Sequence, residues 1–299
     1  MTDDDGQTTD ATDPPEDGVR TPDGLRLALR RWRPEGPARA DVLVVHGYAE
    51  HGGRHGRLAR YLAARGYRVA AYDLRGHGAS EGRPAFADRF DRHLDDLGAV
   101  LSALDGEPAE GGARPRYVVG HSMGGAIATL YALERGLPAD GLVLSSPALR
   151  LSDTPPPLLQ RLLRLLAQLL PHLPTLALDR TKLSHDAAEV ARAEADPLNY
   201  HGRLPAATAA ALLDATHRIA RAMDHFTLPL LVIHGTADAL TDPAGSRALY
   251  HRAASTDKTL ALYPGLYHET FNEPSGAQVL HQIAEWLDER AGGGDPETG

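Results

Sequence analysis

The chain has 299 residues, is 42% hydrophobic, contains no cysteine and carries a formal net charge of −9. Its length and apolar content suffice for one large core with room for an insertion. The lack of cysteine excludes disulfides and thiolate metal sites. Residues 1–17 hold seven acids and no base, so the remainder is nearly neutral and nothing in the charge points to nucleic acid.

In chain order, residues 1–17 read as a disordered acidic tail. This start lacks the apolar stretch of a signal peptide, and no apolar run approaches the roughly 18 residues that span a bilayer. A cytoplasmic protein is therefore expected. Leu25 to Trp32 alternates apolar and polar residues, the period of a half-exposed antiparallel strand. Asp41 to Val45, Tyr67 to Tyr72, Arg116 to Val119, Leu142 to Leu144, Leu230 to Ile233 and Thr259 to Tyr263 are short apolar runs suited to strands buried on both faces. Helical patterns separate them: Leu58, Leu62 and Ala63, then Leu94, Leu97, Leu101 and Leu104, then helices starting at Asp242-Pro243 and near Pro274. Strands alternating with helices predict a mostly parallel sheet flanked by helices.

That rhythm stops between Ser145 and Thr227. After Pro155-Pro156-Pro157, the segment Leu158–Leu170 carries eight leucines, with Gln160, Arg161, Arg164 and Gln168 gathered on one side. Further helices are expected over 186–195 and 206–224. The organisation predicted is a tail over 1–17, a core over 18–147, an all-helical cap over 148–226, the core resumed over 227–291, and a disordered tail over 292–299. The leucine-rich helix has two readings, packing on the core, or lining an acyl channel or resting on a membrane interface.

The most specific local pattern is Gly120-His121-Ser122-Met123-Gly124, a G-x-S-x-G between an apolar strand and a helix-like run. Such a strand-to-helix turn holds its serine in a strained conformation and exposes the hydroxyl. A serine hydroxyl needs an imidazole base, and the imidazole needs a carboxylate to orient it. Asp238, in the loop after Leu230–Ile233, is the candidate acid, since Asp242 is better used as a helix cap. Among fifteen histidines, only His268 follows the last strand, and His281 falls inside the terminal helix. The N–H groups of Met123 and Tyr48 are the candidate oxyanion donors. Glu50 and Arg54, four apart beside the Tyr48 loop, either reach a polar head group or pin that loop as an ion pair.

Together with His46-Gly47-Tyr48-Ala49-Glu50-His51, Asp73-Leu74-Arg75-Gly76-His77-Gly78, Asp196-Pro197-Leu198 and His234-Gly235-Thr236-Ala237-Asp238, these motifs resemble the monoacylglycerol lipase branch of the α/β-hydrolase superfamily. The resemblance runs from about Gly24 to Leu287. It implies an α/β-hydrolase fold, cofactor-free and metal-free cleavage of a single-chain lipid ester, and a helical cap that makes transient contact with lipid surfaces. It also implies Ser122 as nucleophile, His268 as base and Asp238 as its orienter. Lysophospholipase, short-chain carboxylesterase and perhydrolase activities remain alternatives, as does a non-catalytic receptor on the same fold. Oligomeric state is left open.

Overall fold

Eight strands form one sheet in the computed structural model, which describes residues 13–106, 114–152 and 156–292. The first half contains β1 (Asp17–Arg20), β2 (Arg26–Trp32), β3 (Ala40–Val45), α1 (Gly56–Ala63), β4 (Tyr67–Tyr72), α2 (Asp91–Asp105), β5 (Arg116–His121), α3 (Met123–Arg135) and β6 (Gly141–Ser145). An all-helical stretch follows, with α4 (Pro157–Leu169), α5 (Ala187–Ala195) and α6 (Ala206–Ala222). The chain closes with β7 (Leu230–Gly235), α7 (Pro243–Arg252), β8 (Lys258–Tyr263) and α8 (Gly276–Arg290).

The strand order is β1-β2-β4-β3-β5-β6-β7-β8. β2 runs antiparallel to β1 and β4, and all pairings from β4 through β8 are parallel. Successive side chains of a strand point to opposite faces, and β3 shows the result. Leu43 and Val45 join a core cluster with residues of α2, α3 and α6, while Val42 and Val44 join a second cluster with α1 and α8. Both faces of the sheet are therefore covered, which is why its central strands are continuous apolar runs.

The acidic tail expected over residues 1–17 needs correction. Residues 1–12 lie outside the described residues, whereas the stretch from Asp13 to Asp17 belongs to the fold. The Asp13 carboxylate accepts from Trp32 Nε1 and from Arg60, each at 2.6 Å, and its carbonyl accepts from Arg30 Nε at 2.8 Å. Asp17 opens β1 and pairs with Leu29. Acids that satisfy these donors are structural, whatever their neighbours suggest. The tail expected over 292–299 lies outside the described residues except for Gly292.

Helix boundaries follow local chemistry where such chemistry exists. Asp242 caps α7 by accepting from Ala244 N–H at 2.9 Å, with Pro243 as the first helical residue. Asp186 caps α5 in the same way through Ala188 N–H. Among the described residues, no helix is long and apolar enough to cross a membrane.

Candidate active site

The turn between β5 and α3 sets the geometry. Ser122 has φ 52° and ψ −120°, a region that side chains other than glycine rarely occupy. Its N–H donates to Ser145 O at 3.0 Å, and its carbonyl accepts from Ala148 N–H at 2.9 Å, so β6 holds the turn in this shape. A Cβ on Gly124 would lie 2.0 Å from the Val45 carbonyl oxygen; only glycine lets α3 begin so close to the end of β3. Ser122 itself is half-buried and lines a large cavity at the C-terminal edge of the sheet, the usual ligand position in open α/β folds.

His268, after β8, lines the same cavity. Its Nδ1 lies 2.7 Å from Asp238 Oδ2, which leaves Nε2 as the nitrogen open to proton transfer. Asp238 is satisfied on both oxygens. Oδ1 accepts from the N–H groups of Leu240 and Thr241, and Oδ2 also accepts from the Thr241 hydroxyl at 2.8 Å. A second imidazole completes the set, with His234 Nε2 3.2 Å from Asp238 Oδ2. Nε2 of His234 also faces the Thr241 carbonyl, so it carries the proton, while Nδ1 accepts from the Ser246 hydroxyl at 2.7 Å.

Burial alone would push the Asp238 carboxyl up. The charge of His268 and the hydrogen bonds from His234 and His268 overcome this and hold it well below the usual carboxylate range. For His268, burial works downward, and the neighbouring Asp238 charge reverses it to give a net rise. Burial lowers adjacent His121 to about 4, so that imidazole is neutral beside the pair. The competing residues are occupied elsewhere: Asp242 caps α7, and exposed His281 pairs with Glu285 at 3.1 Å.

The loop after β3 lies against the serine. A Cβ on Gly47 would come within 2.9 Å of Ser122 Cβ, which brings the Tyr48 backbone beside the elbow. Glu50 shapes this loop by accepting from Gly47 N–H, and it also faces His55 Nε2 at 3.2 Å. Burial would raise the Glu50 carboxyl, but the surrounding imidazoles, His55 foremost, hold it well below its ordinary value. Arg54 Nε lies 3.5 Å from Glu50, and Arg54 Nη2 reaches Glu269 at 2.8 Å and Glu189 of α5 at 3.0 Å. One guanidinium thus ties the loop to the residue after His268 and to the helical insertion. His51 adds a second tie, through Nε2 to Asp196 at 2.8 Å.

All seven residues singled out from the sequence line this cavity or support it: Ser122, His268, Tyr48, Met123, Glu50 and Arg54 line it, and Asp238 lies directly behind His268. The supporting roles of His234, Thr241 and Glu269 were not anticipated. His234 opens the same loop motif as Asp238, the one sequence signal that could have marked it.

Fold and site define an α/β-hydrolase of the serine type. The family model described as Hydrolase_4, serine aminopeptidase S33, matches residues 36–275, and the chain belongs to that family. Its relatives include a monoacylglycerol lipase of Mycolicibacterium smegmatis, 38% identical over 88% of this chain and 93% of that protein. The human monoglyceride lipase is 36% identical over 90% of this chain and 88% of that protein. Among solved structures, the monoacylglycerol lipase of Paleococcus ferrophilus is 31% identical, with a TM-score of 0.79 over 88% of this chain and 99% of that one. The chain is a serine hydrolase.

Proposed function

We propose that this enzyme hydrolyses monoacylglycerols and similar single-chain lipid esters, with Ser122 as nucleophile, His268 as general base and acid, and Asp238 as the orienting carboxylate. The observation that carries the reading is the His268–Asp238 contact at 2.7 Å, in a cavity of about 430 Å³ shared with a strained, accessible Ser122. In the proposed cycle Ser122 Oγ attacks the acyl carbonyl while His268 Nε2 takes its proton. The N–H groups of Tyr48 and Met123 stabilise the oxyanion, each contributing roughly 3 kcal/mol in the transition state. Glycerol leaves with the proton from His268, and water then releases the fatty acid by the same route.

The cavity walls favour this substrate class. Leu151, Leu176, Leu178, Leu183, Leu212 and Leu240 offer an apolar path for an acyl chain, and Glu50 and Arg54 offer a polar end. An aminopeptidase would need a carboxylate free to receive the substrate's ammonium group. Glu50 is held by Gly47 and Arg54, Glu269 by Arg54 and Asn272, and Asp179 by Thr181. This argues for an ester with an uncharged or acceptor head group.

The insertion over 148–226 would act as a cap, with α4 as its contact to lipid. α4 has no buried residue, and Leu158 and Leu169 are 78% and 68% exposed. A row of exposed leucines with Arg161 and Arg164 on the other side suits an interfacial helix.

Two measurements test the reading. A fluorophosphonate probe should label the wild type and not Ser122→Ala; equal labelling of both would sink the catalytic assignment. Turnover should be faster for medium- to long-chain monoacylglycerol than for a matched lysophospholipid or triacylglycerol. A profile that peaks at acetate or butyrate esters contradicts the lipid substrate.

A further inference from the structure

The cavity wall holds a cationic turn that acyl transfer does not use. Arg180–Lys182 form a single 3-10 turn capped by Asp179, and both Arg180 and Lys182 line the cavity. Arg180 Nη2 donates to the Tyr200 carbonyl at 2.6 Å. Among the described residues, no carboxylate lies within 4.0 Å of this guanidinium. The Asp179 carboxylate turns instead to the N–H and hydroxyl of Thr181, and Glu194 acts on Arg180 only from longer range. Arg54, in the same cavity, is surrounded by Glu50, Glu189 and Glu269. The two arginines are therefore in opposite states, one in contact with three carboxylates and one in contact with none among the described residues.

A second unsatisfied donor lies nearby. The Tyr48 hydroxyl is buried without a hydrogen-bond partner among the described residues, and the Tyr48 ring packs edge-on against Tyr200 at 6.2 Å. Tyr200 N–H donates to the Ala49 carbonyl at 3.2 Å. Tyr200 thus holds Arg180 on one side and rests on the Tyr48–Ala49 loop on the other. A half-buried guanidinium offers five N–H donors in a planar fork, and among the described residues Nη2 alone is used, for a neutral carbonyl. Burying such groups unpaired costs free energy, and the fork matches the oxygens of a phosphate.

We propose that Arg180, with the Tyr48 hydroxyl and with Lys182 at the rim, forms a head-group subsite for a phosphate monoester on the alcohol side of the substrate. The enzyme then accepts monoacylglycerol phosphates beside neutral monoacylglycerols. This rests on the ester-hydrolase reading above. Only the acyl ester is cleaved: water adds across it to give a fatty acid and glycerol phosphate, and the phosphate ester stays intact.

The test compares decanoyl glycerol with decanoyl glycerol phosphate, both below their micellar concentrations, on the full-length enzyme. In Arg180→Ala the ratio of kcat/KM for the phosphate substrate to that for the neutral one should fall by about tenfold or more. Arg180→Lys should keep most of that ratio. Should Arg180→Ala fail to fold, Arg180→Gln keeps a donor for the Tyr200 carbonyl, removes the charge and carries the same expectation. Glycerol phosphate should inhibit the wild type competitively and Arg180→Ala about tenfold more weakly. An unchanged ratio in Arg180→Ala overturns the subsite and leaves Arg180 as a clamp on Tyr200. Inorganic phosphate inhibiting as strongly as glycerol phosphate assigns the site to a free anion and overturns the head-group role. Wild type that cleaves decanoyl glycerol but not its phosphate sinks the subsite alone; wild type that cleaves neither sinks the ester-hydrolase reading with it.

Discussion

At the sheet edge, Asp238 has partners on both carboxylate oxygens, and Ser122 is held by three backbone hydrogen bonds at a φ of 52°. In the insertion above it, α4 has no buried residue and turns five of its seven leucines outward. Ionisable contacts are among the ties between the two regions: His51 with Asp196, Arg54 with Glu189, and His185 with Glu273 at 2.9 Å. Within the insertion the same contrast recurs. Leucine-rich α4 is exposed, whereas alanine-rich α6 buries Ala211, Leu212, Ala215 and Ile219 against the core. Apolar content alone does not decide burial; the neighbour available to each face does. Fixed geometry lies in the sheet, and the exposed apolar surface lies in the insertion.

The sharpest way to break this division is Ser122→Ala. It should lower kcat by about a millionfold while vesicle binding through α4 stays intact; joint loss would show that the regions are not separable. Asp238→Asn should cost about 10⁴-fold in kcat and alter the pH profile. Only neutral His268 can accept the Ser122 proton, so activity should rise with pH as the imidazole loses its charge. The midpoint should lie above the ordinary 6.5, because Asp238 outweighs burial in setting the His268 pKa. In Asp238→Asn that support is gone and the midpoint should fall. A rise in midpoint would contradict the assigned pair.

Smaller effects sharpen the contrast inside the insertion. Ile219→Ala in α6 should destabilise the protein by about 2–5 kcal/mol in denaturant unfolding, since the side chain is fully buried in the core cluster. Leu158→Gln in α4 should change stability by less than about 0.5 kcal/mol. The same variant should weaken vesicle binding by roughly tenfold, the loss expected for about 1.5 kcal/mol of apolar contact. Equal destabilisation by both variants would remove the distinction between the helices.

The legible parts of the sequence were those with a local cause. The run Tyr67–Tyr72 is a strand over the same residues, and Asp242-Pro243 starts a helix as capping chemistry requires. The parallel sheet and helical insertion followed from such runs and from the break after Ser145. β1 escaped notice because Asp17-Gly18-Val19-Arg20 has no apolar period and exists as a strand through pairing with β2. Asp13 was hidden by its acidic neighbours; its partners Trp32 and Arg60 are distant in sequence. His234 and Thr241 support Asp238 through contacts that spacing cannot show, and the lack of a counter-ion at Arg180 is purely a matter of tertiary structure.

β6 and β7 lie side by side, with Leu142 opposite Leu230. The two strands are parallel, so everything between them is one long crossover that leaves at the C-terminal edge of the sheet and must return to the N-terminal edge, a return made along α6. Its first residues are tied to the Asp238 loop, with Leu151 bridged to Thr241 and the Thr241 hydroxyl donating to the Ser146 carbonyl. The boundary of a viable graft falls before α6, because Ala211, Ala215 and Ile219 are part of the core on which α3 rests. The segment from Ser152 to Leu204, which carries α4, Arg180, Lys182 and Asn199, can be grafted only with its ties to Glu269 and Glu273 through Leu183 and Ser184 kept. Moving it should carry head-group and chain-length preference into a new host whose own sheet keeps performing the chemistry.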